Sequence, residues 1–215
     1  MSGPQHSDQL DDGRTRCGWV GTGIQAGSPD ALLYRDYHDT EWGRPLHGTQ
    51  ALFERVSLEA FQSGLSWLII LRKRDNFRKA FGNFDVDAVA RFGDKDIDRL
   101  LADPGIVRNR AKVEATIANA RAIIDGELDL DALLWSFAPL GRARPTALSQ
   151  VPATSPESVA MAKELKRRGL RFVGPTTAYA LMQATGMVDD HIVDCWVPAA
   201  SAGASGGSLH SDRSR

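Results

Sequence analysis

The sequence lacks any apolar run approaching the ~20 residues that cross a membrane as a helix. The longest, Trp67 to Leu71, runs straight into Arg72, Lys73 and Arg74. The first residues also lack the basic-then-apolar pattern of a secretory signal, so the expectation is a cytoplasmic protein with no membrane partner. Cysteine is scarce, with only Cys17 and Cys195 in 215 residues. One disulfide is the most they permit, and a reducing cytoplasm disfavours it, which leaves a metal site or two free thiols. Net charge is nearly absent: 26 basic residues against 27 acidic ones give a formal −1. With no global field to attract nucleic acid, any DNA contact must come from a local patch. No segment sustains the apolar–polar alternation of a strand. No repeat is visible, and nothing calls for an oligomer, so a monomer is expected.

What is present reads as helix after helix. Residues 1–15 are polar and aperiodic, and 199–215 are Ser/Gly-rich and basic; both ends are expected to be disordered tails. The stretch between them, 16–198, suits one domain or two small lobes. Thr49 can cap a helix carrying Leu52, Phe53 and Val56 and ending near Gly64. Two helices are expected over 67–71 and 76–81. Asp94 can cap a short helix that ends before the breaker Asp103-Pro104-Gly105. Val113, Ile117, Ala120 and Ile124 recur at helical spacing up to Gly126. Further helices are expected over 130–137, from Ser155-Pro156, and over 175–185, because proline suits a first helical turn. The fold class is all-α.

Two constellations carry chemistry. The first runs over 164–185: a basic helix end (Lys166, Arg167, Arg168), a Gly169-to-Gly174 hairpin, then a helix opening at Pro175. The backbone N–H groups of Thr176 and Thr177 are then free for a phosphate. A plain helix–turn–helix corner fits the same residues. The second is Cys17, His38, His191 and Cys195. His191 and Cys195 lie four apart and share a helical face. A Cys2His2 set suits a closed zinc site, and two buried cysteines with two hydrogen-bonded histidines fit as well. Around Glu59, in sequence, stand Trp19, Tyr34, Tyr37, Trp42 and Trp67. These aromatics suit either a core or a pocket, and Glu59 suits either a buried site or the helix surface beside Arg55.

The motifs Arg16-Cys-Gly-Trp19, Tyr34-x-x-Tyr37-His-Asp-x-Glu-Trp-Gly43, Leu58-Glu-x-x-x-x-Gly-Leu-Ser-Trp67, Gly105-Ile-x-Arg108, Lys166-x-x-Gly-x-x-Phe-Val-Gly174 and Asp190-His191 with Cys195 resemble, in order and from 16 to 198, the DNA-3-methyladenine glycosylase I family. The resemblance implies a helix-hairpin-helix fold acting on alkylated double-stranded DNA by base flipping. It implies one structural zinc on Cys17, His38, His191 and Cys195, joining the N- and C-terminal segments. It further implies Glu59 and Tyr37 as polar readers of the base, Glu59 being the catalytic candidate, with Trp67 stacking and Trp42, Tyr34 and Trp19 completing the wall. Gly174, Thr176 and Thr177 would meet the DNA backbone, and Gly64 and Leu65 the gap left by the flipped base. Relatives that also cut the backbone carry a lysine where Thr176 stands, which implies a glycosylase without lyase activity. Asp190 is expected beside His191 as an outer partner. The Gly21-to-Pro29 stretch reads as an insertion between Cys17 and His38. The competing readings are a non-catalytic zinc-stabilised DNA-binding module and a zinc hydrolase. Four protein ligands leave a hydrolytic metal no vacant position.

Overall fold

One helix, α2 (Thr49–Gln62), organises the fold because nearly every side of it is apolar or covered. From Leu52 to Phe61 only Glu54 escapes burial. A helix buried all round must be central, and α2 packs against five helices that follow it in sequence. The computed structural model describes residues 12–199. The other helices are α1 (Pro29–Thr40), α3 (Trp67–Ala80), α4 (Val86–Ala90), α5 (Asp94–Ala102), α6 (Arg110–Asp125), α7 (Leu130–Trp135), α8 (Pro156–Arg167) and α9 (Pro175–Ala184). Short 3-10 turns cover Gly82–Phe84 and Leu148–Gln150. Among the described residues there is no strand, as the missing alternation implied. Among the same residues no helix is long and apolar enough to cross a membrane.

Three local expectations are corrected. Thr49 is the first residue of α2 rather than its cap. Gly48 holds the cap at φ 91°, and its N–H is taken by Asp131. The two short helices expected over 67–71 and 76–81 are one. Arg72 and Asp75 lie exposed on α3 while Ile70, Leu71, Phe77 and Ala80 face inward. A helix the sequence does not suggest opens at the end of the Gly21-to-Pro29 stretch: Ser28 Oγ accepts from Ala31 N–H at 3.2 Å and Pro29 begins α1. Only Ala31, Tyr37 and His38 of α1 are buried, too few to print a period on the sequence.

The α8 start at Ser155 is as expected, with a reciprocal pair of bonds between Ser155 and Ser158. The first and last described segments meet. Trp196 N–H donates to Thr15 carbonyl at 2.9 Å, and Arg14 lies 3.9 Å from the centre of the Trp196 ring. Arg14 and Thr15 thus belong to the folded part and not to the first expected tail. The rest of the two expected tails, 1–11 and 200–215, lies outside the described residues.

Candidate active site and metal centre

Tyr37, His38, Glu41 and Trp42 come from the end of α1 and the turn after it. That turn needs Gly43: its φ is 73°, and a Cβ there would come within 2.9 Å of His191 Nε2. Gly186 (φ 72°) lets the end of α9 press on the same segment, where a Cβ would meet Arg44 backbone at 2.6 Å. Through these two close approaches, α9 and the His191 loop lock onto α1.

Cys17, His38, His191 and Cys195 are all buried, and their ligand atoms lie within 4.8 Å of one another. Cys17 Sγ is 3.6 Å from His191 Nδ1, Cys195 Sγ is 3.5 Å from the same nitrogen, and Cys195 Sγ is 3.6 Å from His38 Nε2. With Zn–S near 2.3 Å and Zn–N near 2.0–2.1 Å, a tetrahedron has S···N edges of about 3.5–3.6 Å. Both imidazoles are oriented from behind. His38 Nδ1 lies 2.7 Å from Asp39 Oδ1, and His191 Nε2 lies 3.1 Å from Trp42 carbonyl. Carboxylate and carbonyl accept only, so those nitrogens donate and the opposite nitrogens turn bare lone pairs into the cluster. The contact with Cys195 pushes the Cys17 thiol up, and the contact with Cys17 pulls Cys195 down. Two thiolates this close need a cation between them. The donor set therefore fits a soft-ligand tetrahedral metal. Asp190, expected as the outer partner of His191, instead accepts from Tyr179 and Gln183; the Trp42 carbonyl has taken the position.

Against this cluster stands a cavity of about 200 Å³, room for one planar ring system and below the usual range for larger ligands. Trp19, Tyr34, Tyr37, Trp42 and Trp67 wall it, with Glu59, Gln62, Ala180 and Gln183 between them. Trp19 meets Tyr34 and Trp42 edge-on, with centroids 5.2 and 5.0 Å apart. The indole N–H groups of Trp19 and Trp67 are buried without a partner, a rarity in a finished core. Glu59 is 4% exposed. Burial pushes its carboxyl up to about 7, against the opposing pull of Arg55. Burial likewise raises the Tyr34 and Tyr37 hydroxyls, with the Glu59 charge adding to both.

Arg55 was read only as a surface neighbour of Glu59, yet it is buried behind the cavity. It donates to the Tyr37 hydroxyl oxygen at 3.2 Å and lies 5.5 and 5.6 Å from the Tyr37 and Trp67 ring centres. Glu41 joins it to Arg74. Because Tyr37 oxygen accepts from Arg55, its own proton is free to donate elsewhere. Helical spacing placed Arg55 beside Glu59, but only packing shows that the arginine side is closed.

Two surface features complete the arrangement. Gly64 (φ 83°) turns the chain between α2 and α3 and leaves Leu65 37% exposed, between the cavity residues Gln62 and Trp67 in sequence. Lys112, which the sequence did not single out, holds this break by donating to Phe61 and Ser63 carbonyls at 2.9 and 2.6 Å. The hairpin between α8 and α9 is held by Asn119, also unforeseen, which exchanges two bonds with Arg171 backbone. No side chain caps α9: Gly174 is exposed at the cap, and Thr176 and Thr177 follow in its first turn. Arg167 and Arg168 are paired with Glu164, which leaves the hairpin less positive than its sequence.

The Methyladenine glycosylase family pattern matches residues 28–198. The chain belongs to that family. Among its relatives, a DNA-3-methyladenine glycosylase of Haemophilus influenzae is 42% identical over 187 residues, covering 84% of this chain and 96% of its own. DNA-3-methyladenine glycosylase 1 of Escherichia coli is 44% identical over 186 residues, with 84% and 95% covered. The solved 3-methyladenine DNA glycosylase I of Staphylococcus aureus superposes with a TM-score of 0.77 at 32% identity, covering 86% of this chain and 98% of that one. For this methyladenine glycosylase, the residues singled out as pocket and as metal ligands fall into two adjoining clusters. The residues singled out for DNA lie apart, on the α2–α3 break and the α8–α9 hairpin.

Proposed function

We infer that this protein hydrolyses the N-glycosidic bond of 3-methyladenine in alkylated double-stranded DNA and leaves an abasic site. The observation that carries the reading is Glu59, a buried carboxyl in a cavity walled by tryptophan and tyrosine. A nucleotide methylated at N3 of adenine carries delocalised positive charge and a weakened glycosidic bond, so no strong general acid is needed. Aromatic faces favour such a cation by about 0.5–2 kcal/mol each, and the Glu59 carboxylate adds direct attraction. The damaged base must leave the duplex to reach the cavity. Leu65, exposed at the Gly64 break, is the side chain available to fill the gap. The open N-terminus of α9, at Gly174, Thr176 and Thr177, suits one backbone phosphate. Trp67 is the stacking plane; Trp42, Tyr34 and Trp19 close the wall, and Tyr37 donates to the base.

In the reaction, the bond from sugar C1′ to the base breaks and its electron pair neutralises the departing base. Water adds to C1′ and releases a proton. Glu59 stabilises the cation before and during that departure. Thr176 offers no amine for a Schiff base, so the sugar–phosphate strand stays intact. Zinc is the metal proposed for Cys17, His38, His191 and Cys195. With four protein ligands it supplies no chemistry to the base and serves as a clasp between chain ends. Trp19, Tyr37 and Trp42 lie within four residues of a ligand, so the clasp also sets one wall of the pocket.

The test is release of free 3-methyladenine from methylated DNA by purified, zinc-loaded protein. DNA binding without release overturns the enzyme reading in favour of a binding module. Trp67→Ala should lower release while zinc content stays unchanged, since α3 carries none of the ligands.

A further inference from the structure

Resting on the reading of the cavity as a 3-methyladenine pocket, we propose that Gln183 is a third reader of the base. Its side-chain oxygen is locked by Asp190 as an acceptor for the 6-amino group. Gln183 lies on the cavity wall with Ala180, one turn earlier on α9. Its Nε2 donates to Asp190 Oδ2 at 2.9 Å, and the same oxygen accepts the Tyr179 hydroxyl at 2.6 Å. Arg142 Nη2 stands 2.9 Å from Oδ1, an ion pair by distance though not aligned as a hydrogen bond. A carboxylate accepts and does not donate. The amide therefore has one allowed orientation, NH2 towards Asp190 and Oε1 turned away, because the reverse would press two acceptors together. The backbone of Gln183 is pinned as well: its carbonyl accepts from Gly43 N–H at 3.1 Å. One amide hydrogen is taken by Asp190, and no side chain or backbone group among the described residues donates to Oε1, so that oxygen is the acceptor Gln183 can offer the cavity.

The donor–acceptor pattern of the pocket follows. Glu59 is an acceptor as the carboxylate. Tyr37 is a donor, because its oxygen already accepts from Arg55. Glu59, Tyr37 and Gln183 together give two acceptors and one donor, beside the unpartnered indole N–H groups of Trp19 and Trp67. A 6-aminopurine presents two amine hydrogens next to a ring-nitrogen acceptor and satisfies all three. A 6-oxopurine places an oxygen where the amine stands and faces two acceptors. Rejection of 3-methylguanine then comes from like dipoles meeting, not from cavity shape.

The experiment compares release of 3-methyladenine and 3-methylguanine from methylated DNA by the wild-type protein, Gln183→Leu and Gln183→Met in single turnover. Both variants keep bulk and lose the amide acceptor. Release of 3-methyladenine should fall about five- to tenfold, the worth of one buried hydrogen bond. Release of 3-methylguanine should not fall, so the ratio between the two bases contracts. An equal fall for both bases marks Gln183 as merely structural and overturns the proposal, as do unchanged rates. Should both variants fail to fold, the wild-type protein is titrated with free 3-methyladenine and with its N6-methyl derivative, which has lost one amine hydrogen. At least fivefold weaker binding of the derivative is expected on the same grounds, and equal affinity overturns the proposal. If wild-type protein releases no 3-methyladenine at all, the failure is that of the functional reading, and it is seen before any variant is compared.

Discussion

Glu59→Gln should make the protein more stable above neutral pH and a poorer enzyme at the same time. Burial raises the Glu59 carboxyl from 4.5 to about 7. Ionising it inside the fold therefore costs about 3 kcal/mol relative to the unfolded chain. The sign follows from where the proton sits. Below pH 4.5 the carboxyl is protonated in both states and the fold carries no penalty. As pH rises towards 7 the unfolded chain gives up its proton and the fold holds on, so stability falls, and the loss is complete above about 7. Glutamine does not ionise. The stability of Glu59→Gln minus that of wild type should therefore grow by about 3 kcal/mol between pH ~4.5 and ~8, or about 6–12 °C in Tm for a chain of this size. Urea or thermal unfolding of both proteins, zinc-loaded, at several pH values measures it. Protonation of the cysteines and histidines affects both proteins alike and cancels in the difference. In the same variant, release of 3-methyladenine should fall ~10–150-fold, the worth of a hydrogen bond to a charged group. A stability difference that stays constant across that pH window would show that Glu59 is not desolvated, and the argument for the pocket would fail with it.

Arg55→Met should move the pH midpoint of excision upward, because Arg55 is the charge that opposes the rise of Glu59; an unmoved midpoint would separate the two residues. Cys195→Ala should abolish stoichiometric zinc by elemental analysis. It should also cost about 4–5 kcal/mol, the cross-link value for a closed loop of ~150 residues, and full stability without zinc would refute the clasp. Gly174→Val places a side chain at the open end of α9, where a Cβ meets nothing in the protein. DNA affinity should fall, while binding of free 3-methyladenine and thermal stability hold. Equal DNA affinity would remove the hairpin from the interface.

The sequence by itself determined the helical class, because apolar residues recur at helical spacing and never alternate. It also determined which residue types stand near one another along the chain: Cys17 by Trp19, Tyr37 by His38, Glu59 ahead of Trp67. Family motifs carried those residues to roles that spacing alone left open. Only the tertiary structure decided the pairings across the chain. Trp42 carbonyl displaced Asp190 behind His191 because Gly43 permits an approach no other residue would. Arg55 became a buried partner of Tyr37 because α1, α2 and α3 close around it. Lys112 and Asn119 fix the α2–α3 and α8–α9 turns through bonds to backbone carbonyl and amide groups distant in sequence, and such bonds leave no periodic signature. A buried polar group must find its partner wherever the fold supplies one, and that search is settled in three dimensions.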